Sequence, residues 1–359
     1  MEDKENLIRA WRRKTPQWIP ISSGLPWLDY ESFGYDTKEL ERICRKHTIL
    51  FPNYQEGTLK KNYEAVFVNR PDMVKGSHWE DAWGCVWETA VTGMVGAVTR
   101  HPLENWEAFE NFHCPDPDCT DGISKIDWDS LKAAARHPDR EKNFFGLGLP
   151  HGHTFLRVQD LRGYVNFISD MADEDPRIDA LLDLVCDFNV RLIQRFIALK
   201  PDSIGIPEDL GMQNSPMLSP AQFNQYIAPR YHRMTQPIKE AGIIVHEHSD
   251  GYIMDLMDDI IATGGDVINM QDLVNGIDNI QSYVKGRISI DLDIDRQNIT
   301  VFGTPKDIDD HIRECVTKLG SKEGGLSLTY QPWPPVSPEN LDAVFTSLEK
   351  YAVLEYPFA

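Results

Sequence analysis

The chain has 359 residues and a formal net charge of −20, from 36 basic and 56 acidic residues. This length suits one large α/β barrel or two ordinary domains. The negative charge argues against nucleic acid and against an anionic membrane as partners. It leaves room for a neutral small substrate or a basic protein partner.

The N-terminal segment and the cysteines indicate the cellular compartment. The residues after Met1 lack the apolar core of a signal peptide, and no stretch approaches 18 apolar residues. The six cysteines are scattered and do not form the spacing of a disulfide framework. We therefore expect a cytoplasmic protein with reduced thiols.

The first 150 residues contain predicted elements without a regular order. In chain order they are helix 3–13, strand 18–24, helix 36–48, strands 63–69 and 83–88, helix 127–136 and strand 143–149. His113, Cys114 and Cys119 could be half of a metal site, but no second pair follows, so a surface loop is the better interpretation. The Gly146-Leu-Gly148 motif lacks the spacing of a dinucleotide fingerprint, which disfavours a nucleotide cofactor.

The second half of the chain alternates between strands and helices. After a long helix at 178–199, strands are predicted at 203–206, 243–245, 266–271, 287–291 and 325–330, with helices at 220–241, 252–262 and 305–319 and a last one from Ser337. Continuous apolar strands separated by helices indicate a parallel sheet with helices on its faces. The number of units predicts an α/β fold of the (β/α)8 TIM-barrel type, a single domain with residues 1–60 as an N-terminal extension packed on the barrel.

Polar side chains follow five successive predicted strands, where the chemistry of such barrels lies. They are Glu208, Asp209, His246, His248, Asp272, Asp291, Asp293 and Tyr330. His246 and His248 are two residues apart on a strand and therefore share a face. Two imidazoles at the carboxyl end of a strand suit zinc, although a pair of structural, hydrogen-bonded histidines is the competing interpretation.

Several motifs carry a family resemblance. They are Asp81-Ala-Trp-Gly84, Val86-Trp87, Leu161-Arg-Gly163, Pro207-Glu-Asp-Leu-Gly211, Ser219-Pro220, Tyr226-Ile-Ala-Pro-Arg230, Gly242 to Gly251, Gly265 to Asn269 and Ser337-Pro-Glu-Asn340. Together they resemble the uroporphyrinogen decarboxylase superfamily over roughly residues 60–350. The resemblance implies a (β/α)8 barrel but does not fix the reaction, because one fold hosts different chemistries.

Two kinds of superfamily member are relevant. The decarboxylases hold a porphyrinogen with an arginine-rich N-terminal segment, whereas residues 17–27 of this chain contain no arginine. The other kind are corrinoid-dependent zinc methyltransferases with a His-x-Cys motif and a distant Cys. His246 matches the histidine of that motif. His248 occupies the position of its first cysteine, and Tyr330 lies near the position of its second cysteine. The resemblance implies methyl transfer from a small O-methyl or N-methyl compound to a corrinoid protein, in a demethylation system.

The resemblance and the strand-end residues together define the predicted site. Zinc is predicted on His246, His248 and a carboxylate, with Glu208 as the first choice. This ligand set is harder than thiolates, and the zinc would act as a Lewis acid on an ether or amine donor. Cobalamin would be carried by the partner protein, and a homodimer is plausible for this superfamily. The predicted catalytic residues are Asp209, Tyr330 and Asp250, the last either orienting an imidazole or capping the next helix.

An aromatic wall is predicted to bind the methylated substrate. Its members are Trp27, Tyr30, Trp83 and Trp87, with Asp81 beside them. Two alternatives remain open. One is a metal-free decarboxylase or lyase for a small carboxylic acid, with His246 or His248 as general acid and Asp81 or Asp209 as charge partner. The other is a barrel that only binds a ligand or a partner.

Overall fold

The computed structural model describes residues 3–26 and 28–358. The chain divides into two compact units. The first comprises Met1–His78, Glu88–Ala97 and Gln271–Ala359, and the second comprises Trp79–Trp87 and Val98–Met270.

Seven of the strands in the described residues belong to parallel β-structure, and three short ones form a separate sheet. The strands are β1 Ile21–Ser23, β2 His78–Glu80, β3 Val86–Glu88, β4 Ala97–Arg100, β5 Gly146–Gly148, β6 Ser203–Pro207, β7 Ile244–Ser249, β8 Val267–Gln271, β9 Ser289–Asp293 and β10 Leu326–Tyr330. In the first unit β10 lies between β1 and β9, parallel to both. In the second unit β5, β6, β7 and β8 pair in sequence order, also in parallel. The order β2-β3-β4 makes the small sheet.

Helices are interspersed with the strands along the chain, and those after β6 alternate with the parallel strands. They are α1 Asp3–Trp11, α2 Thr37–Lys46, α3 Thr58–Asn69, α4 Trp128–Ala135, α5 Phe155–Arg162, α6 Tyr164–Ala172, α7 Pro176–Ala198, α8 Pro220–Gln222, α9 Ala228–Glu240, α10 Met257–Ala262, α11 Asp272–Asn275, α12 Ile277–Asn279, α13 Ile299–Phe302, α14 Pro305–Leu319 and α15 Pro338–Leu348. In the part of the chain that the structure describes, no helix is both long and apolar enough to cross a membrane.

A serine followed by a proline marks the start of two helices. Ser219 accepts a hydrogen bond from the Gln222 N–H at the start of α8, and Ser337 accepts one from the Asn340 N–H at the start of α15. In both cases proline occupies the first helical position, where its missing N–H leaves no helical bond unmade. The two helix starts predicted at Ser219 and Ser337 are confirmed.

These elements confirm the α/β class with parallel strands followed by helices. Strand interiors are apolar and buried, as at Ile204 and Ile206 in β6 and Val267 and Ile268 in β8. This is the pattern of strands covered on both faces. The fold is compatible with the TIM-barrel type, while closure into an eight-stranded barrel and a single domain remain predictions.

One predicted strand, 63–69, is wrong. These residues form the C-terminal part of helix α3, which begins after Gly57. The buried residues of this helix, Leu59 and Val66, are seven apart, and the rings of Tyr63 and Phe67 meet at 5.3 Å with a spacing of four. That is helical spacing, so the content of aromatic and β-branched residues was a misleading signal.

Among the element boundaries that differ from the sequence prediction, three concern predicted site residues. The strand predicted at 243–245 is β7, which continues to Ser249, so His246 and His248 lie within it. The strand predicted to end at Asp291 continues as β9 to Asp293, so both carboxylates lie in the strand and not in a loop after it. The helix predicted from Tyr252 begins only at Met257, after a 3₁₀ turn at Met254–Leu256. Asp250 is therefore too far from α10 to cap it.

The interruption predicted in helix 220–241 is confirmed at Pro229, whereas α9 continues through Pro237 to Glu240. The segment Phe223–Ile227 adopts a π-helical turn, and α9 starts at Ala228, one residue before Pro229. Pro229 has no N–H to donate, so the usual helical bond is lost at this point. Pro237 lies inside α9.

Candidate metal centre

Strand β7 presents two histidines on one face and buries the alternate residues of the other face. Val245, Glu247 and Ser249 are buried, whereas His246 and His248 are partly exposed. This alternation follows from the two-residue period of a strand. His248 lies opposite Pro207 of β6 and opposite Asn269 of β8 in the parallel register.

His248 belongs to a compact group with His151 and Asp209. One ligand atom from each of the three residues lies within 4.8 Å of the others. The Oδ1 atom of Asp209 is 3.2 Å from His151 Nε2 and 3.4 Å from His248 Nε2. The two imidazole rings are 5.6 Å apart between centroids and inclined at 57°. Two nitrogens and one carboxylate oxygen therefore converge at the carboxyl ends of β5, β6 and β7.

In this group the two histidines favour the protonated, positive form and Asp209 favours the ionised, negative form. The hydrogen bond to Asp209 raises the pKa of His151 above its ordinary value, more than burial lowers it. Burial lowers the pKa of His248, but bonds to Asp209 and Asn269 and the nearby Asp250 raise it to a net upward shift. Burial raises the pKa of Asp209, yet the bonds from both histidines hold it well below its usual range. Asp209 is thus a carboxylate that attracts cations.

Two glycines bring the loops after β6 and β7 into backbone contact. A Cβ at Gly211 would lie 2.6 Å from the Gly251 carbonyl carbon, and one at Gly251 would lie 2.3 Å from that of Gly211. Gly251 also has a φ of +79°, which side chains disfavour. Close by, the Asp250 N–H donates to Asp209 Oδ1 at 3.0 Å. The Asp250 carboxylate lies 4.0 Å from His248 Nε2.

Glu208, predicted as a zinc ligand, lies in a different environment from Asp209. Its Oε2 accepts hydrogen bonds from the Thr154 and Phe155 N–H groups at 2.9 and 2.8 Å, and its Oε1 accepts one from Leu156 at 3.1 Å. These donors are at the start of α5, where unpaired N–H groups attract a carboxylate. The side chain is completely buried, which raises its pKa to about 7 against the effect of these bonds. In the structure Glu208 ties α5 to the end of β6.

A buried polar cluster surrounds Glu208. The Nδ1 atom of His153 lies 2.6 Å from the Thr154 hydroxyl and 3.9 Å from Glu208 Oε2. Asn189 of α7 donates to the His153 carbonyl at 2.8 Å. Burial lowers the pKa of His153 to about 3, so this imidazole is neutral. The cluster fixes the loop between β5 and α5, and that loop also carries His151.

His246, the other predicted zinc ligand, shares the face of His248 but is outside the His151–Asp209–His248 group. The structure therefore brings together one of the three predicted ligands, His248, with one predicted catalytic residue, Asp209. His151 was not predicted as a ligand. The sequence feature that could have identified His151 is its position after a predicted strand, the same criterion that selected Asp209 and His248.

Asp81, Trp83 and Trp87 of the predicted substrate wall lie in the second unit and contact protein groups. Asp81 accepts hydrogen bonds from the Trp83 and Cys85 N–H groups, from Trp87 Nε1 and from Arg157. All four donor–acceptor distances are 2.8–2.9 Å. The Trp83 and Trp87 rings are 3% and 8% exposed. Asp81 therefore organises a tight turn, and a role for these residues in substrate binding remains a prediction.

Tyr30 and Tyr330 lie in the first unit. Tyr30 is buried and donates its hydroxyl hydrogen to the Pro26 carbonyl at 2.8 Å. Tyr330 is completely buried, and its ring packs edge-on against Phe345 at 6.3 Å. Their functional roles remain predictions. Trp27 lies outside the described residues.

A second group of possible ligands lies in the first unit. Asp272, His311 and Cys315 are all buried, with His311 Nε2 at 2.6 Å from Asp272 Oδ2 and at 3.7 Å from Cys315 Sγ. The same Asp272 oxygen accepts the Asp295 N–H at 3.1 Å. The short histidine–carboxylate distance indicates an ion pair that fastens α14 to the start of α11.

The fold and the donor group define an α/β protein with parallel strands and a candidate metal site at the strand ends. The family model described as uroporphyrinogen decarboxylase (URO-D) matches residues 157–351, more than half of the chain. The chain belongs to this family. The match includes Asp209 and His248, and His151 precedes it.

The fold of the chain is similar to that of solved structures. A methyltransferase from Methanosarcina mazei is similar over 98% of this chain and 99% of its own, with a TM-score of 0.63 and 13% identity, which indicates a shared fold. A B12-independent methionine synthase from Shewanella sp. W3-18-1 is also 13% identical, over 65% of this chain and 68% of its own, with a TM-score of 0.42. No curated protein sequence matches the chain.

Proposed function

We propose that the chain is a methyltransferase. In this proposal it moves a methyl group from a small O-methyl or N-methyl compound to a corrinoid carried by a partner protein, as the substrate-side component of a demethylation system. The observation that carries the proposal is the convergence of His151, Asp209 and His248 at the strand ends. Family membership and the shared fold with the Methanosarcina mazei methyltransferase support it.

The donor group fits zinc. Zinc sites with catalytic roles in proteins commonly have three protein ligands, drawn from histidine nitrogens and carboxylate oxygens or cysteine sulfurs. His151, His248 and Asp209 supply two nitrogens and one oxygen from three different strand ends. When bound, zinc would supply Lewis acidity toward an oxygen or nitrogen of the substrate. A set without thiolate is harder than a cysteine-rich one and better matched to an ether or amine than to a thiol.

The surrounding residues have distinct proposed roles. In methyl transfer from an ether the acceptor's electron pair forms the new bond to the methyl carbon while the carbon–oxygen bond breaks. The electron pair of the broken bond stays on the leaving oxygen, which then takes a proton that comes from solvent. The Asp250 side chain is 39% exposed and lies beside His248, where it can pass this proton from solvent to the oxygen. Asp209 would supply the oxygen ligand beside the two imidazoles, and Glu208 fixes the loop that carries His151.

The proposal is tested by methyl transfer to cob(I)alamin from a panel of methoxyarenes and methylamines. Formation of methylcobalamin is followed by absorbance, with and without prior removal of metal by a chelator. We expect activity from at least one donor class, its loss after chelation, and its recovery when zinc is restored.

Two histidine variants provide the matched comparison. His248→Ala should abolish transfer, whereas His232→Ala, which changes an exposed histidine of α9, should leave it unchanged. Undiminished transfer by the chelated protein and by His248→Ala would contradict the proposal. Chelator-resistant decarboxylation of a small carboxylic acid would instead favour the metal-free alternative.

A further inference from the structure

Asn269 lies directly beside His248. The register of β7 and β8 pairs the two residues, and their side chains leave the sheet on the same face. The Asn269 Oδ1 atom is 2.5 Å from His248 Nδ1. Asn269 is only 7% exposed, so packing holds this contact in place.

This contact determines which nitrogen of a neutral His248 carries the hydrogen. A carboxamide oxygen can only accept a hydrogen bond, and this one is 2.5 Å from Nδ1. The competing acceptor is Asp209 Oδ1, which lies farther away, at 3.4 Å from Nε2. The closer contact therefore places the hydrogen of a neutral His248 on Nδ1, and the lone pair is on Nε2, the nitrogen that belongs to the donor group. The opposite tautomer would place a hydrogen on Nε2, and this hydrogen would occupy the direction needed by a metal ion.

We propose that Asn269 is a positioning residue that fixes the tautomer and ring orientation of His248 for metal binding. The inference rests on the zinc site of the proposed function. A histidine ligand commonly donates its second N–H to an oxygen acceptor, and removal of that acceptor typically weakens metal binding by about 10- to 100-fold. Asn269 supplies that acceptor from the adjacent strand.

Zinc affinity is the first test. Competition with a chromophoric chelator is measured for the whole protein and for Asn269→Ala, Asn269→Asp and Asn166→Ala. We expect affinity to fall by about 10- to 100-fold in Asn269→Ala. Asn269→Asp retains an oxygen acceptor and should therefore bind zinc about 10- to 100-fold more tightly than Asn269→Ala does. Asn166 of α6 makes hydrogen bonds to the Glu104 and Arg162 carbonyls, and its alanine variant should retain the original affinity.

The tautomer itself is the second test and does not require bound zinc. Two-bond ¹H–¹⁵N spectra of histidine-labelled protein, recorded at a pH where His248 is neutral, should show the hydrogen on Nδ1. The signal is assigned by its absence in His248→Ala. Asn269→Ala should lose this preference while circular dichroism shows the same folded content.

The two readouts separate failure of this inference from failure of the proposed function. Zinc binding by the original protein that is equally tight in Asn269→Ala would overturn the inference and leave the zinc site standing. A hydrogen on Nε2 would overturn it as well. Absence of zinc binding by the original protein together with an Nδ1 hydrogen would contradict the zinc site, while the tautomer role of Asn269 would stand.

Discussion

The contact between Gly211 and Gly251 makes a sharp prediction for Gly211→Ala. The added Cβ would lie 2.6 Å from the Gly251 carbonyl carbon and from the Tyr252 nitrogen, whereas ordinary contacts begin at 3.4 Å. The two loops must therefore separate by about 0.8 Å, and these are the loops that carry Asp209 and Asp250. Overpacking of this kind typically costs about 1–3 kcal/mol in the free energy of unfolding.

The displacement should affect the site more than the fold. The hydrogen bond from the Asp250 N–H to Asp209 is 3.0 Å long and would stretch with the loops. A shift of about 1 Å in a positioned group can lower turnover on the order of 100-fold. The assays are urea unfolding, zinc affinity and methyl transfer to cob(I)alamin.

Gly24→Ala is the control for this substitution. A Cβ at Gly24 would meet no atom within 4 Å, and its φ is outside the left-handed region. We expect this variant to match the original protein in all three assays. Gly211→Ala with unchanged stability, zinc affinity and turnover would refute the argument that this glycine pair sets the position of Asp209.

Three further predictions concern buried ionisable groups. Glu208→Gln replaces one acceptor oxygen by an amide group, which would then face the N–H donors of α5. The free energy of unfolding, measured by urea titration, should therefore fall by about 2–3 kcal/mol. An unchanged value would contradict the role of Glu208 at α5. Burial raises the pKa of Glu247 to about 8, so the native state holds a proton that the unfolded state releases near its ordinary pKa of 4.5. The free energy of unfolding should therefore fall as the pH rises from 5 to 8, by up to about 1.4 kcal/mol per pH unit. This pH dependence should vanish in Glu247→Gln. It should persist in the control variant Glu240→Gln, which changes a residue on the exposed face of α9. Equal slopes in all three proteins would show that Glu247 is ionised in the native state. Asp272→Ala leaves His311 buried without its carboxylate, and should lower the free energy of unfolding by about 3–5 kcal/mol, measured by the same titration; a loss below 1 kcal/mol would contradict the ion pair.

The sequence predicted the fold best where its signals were repeated. In the second half of the chain, apolar strands alternate with helices that begin at Ser-Pro pairs, and each signal supports the same arrangement. In the first half, residues 63–69 contain aromatic and β-branched residues that suit a strand locally. The helix forms there because Leu59 and Val66 can be buried together only with helical spacing.

The site was predictable by position but not by orientation. The rule that polar residues follow parallel strands selected both Glu208 and Asp209. Adjacent residues of extended chain point in opposite directions, and no local signal decides which of the two faces the start of α5. The structure gives that position to Glu208 and directs Asp209 toward His151 and His248. The grouping of His151 with His248 depends on the pairing of β5 with β6 and of β6 with β7, which a single sequence does not specify.

The most direct measurement is the zinc content and zinc affinity of the purified protein beside three variants, His151→Ala, His246→Ala and His248→Ala. We expect about one zinc ion per chain in the original protein, consistent with a single three-ligand site. Zinc should be lost in His151→Ala and in His248→Ala, and retained in His246→Ala. Zinc retained by His151→Ala but lost from His246→Ala would contradict the ligand set, and a protein that binds no zinc would contradict the metal site itself.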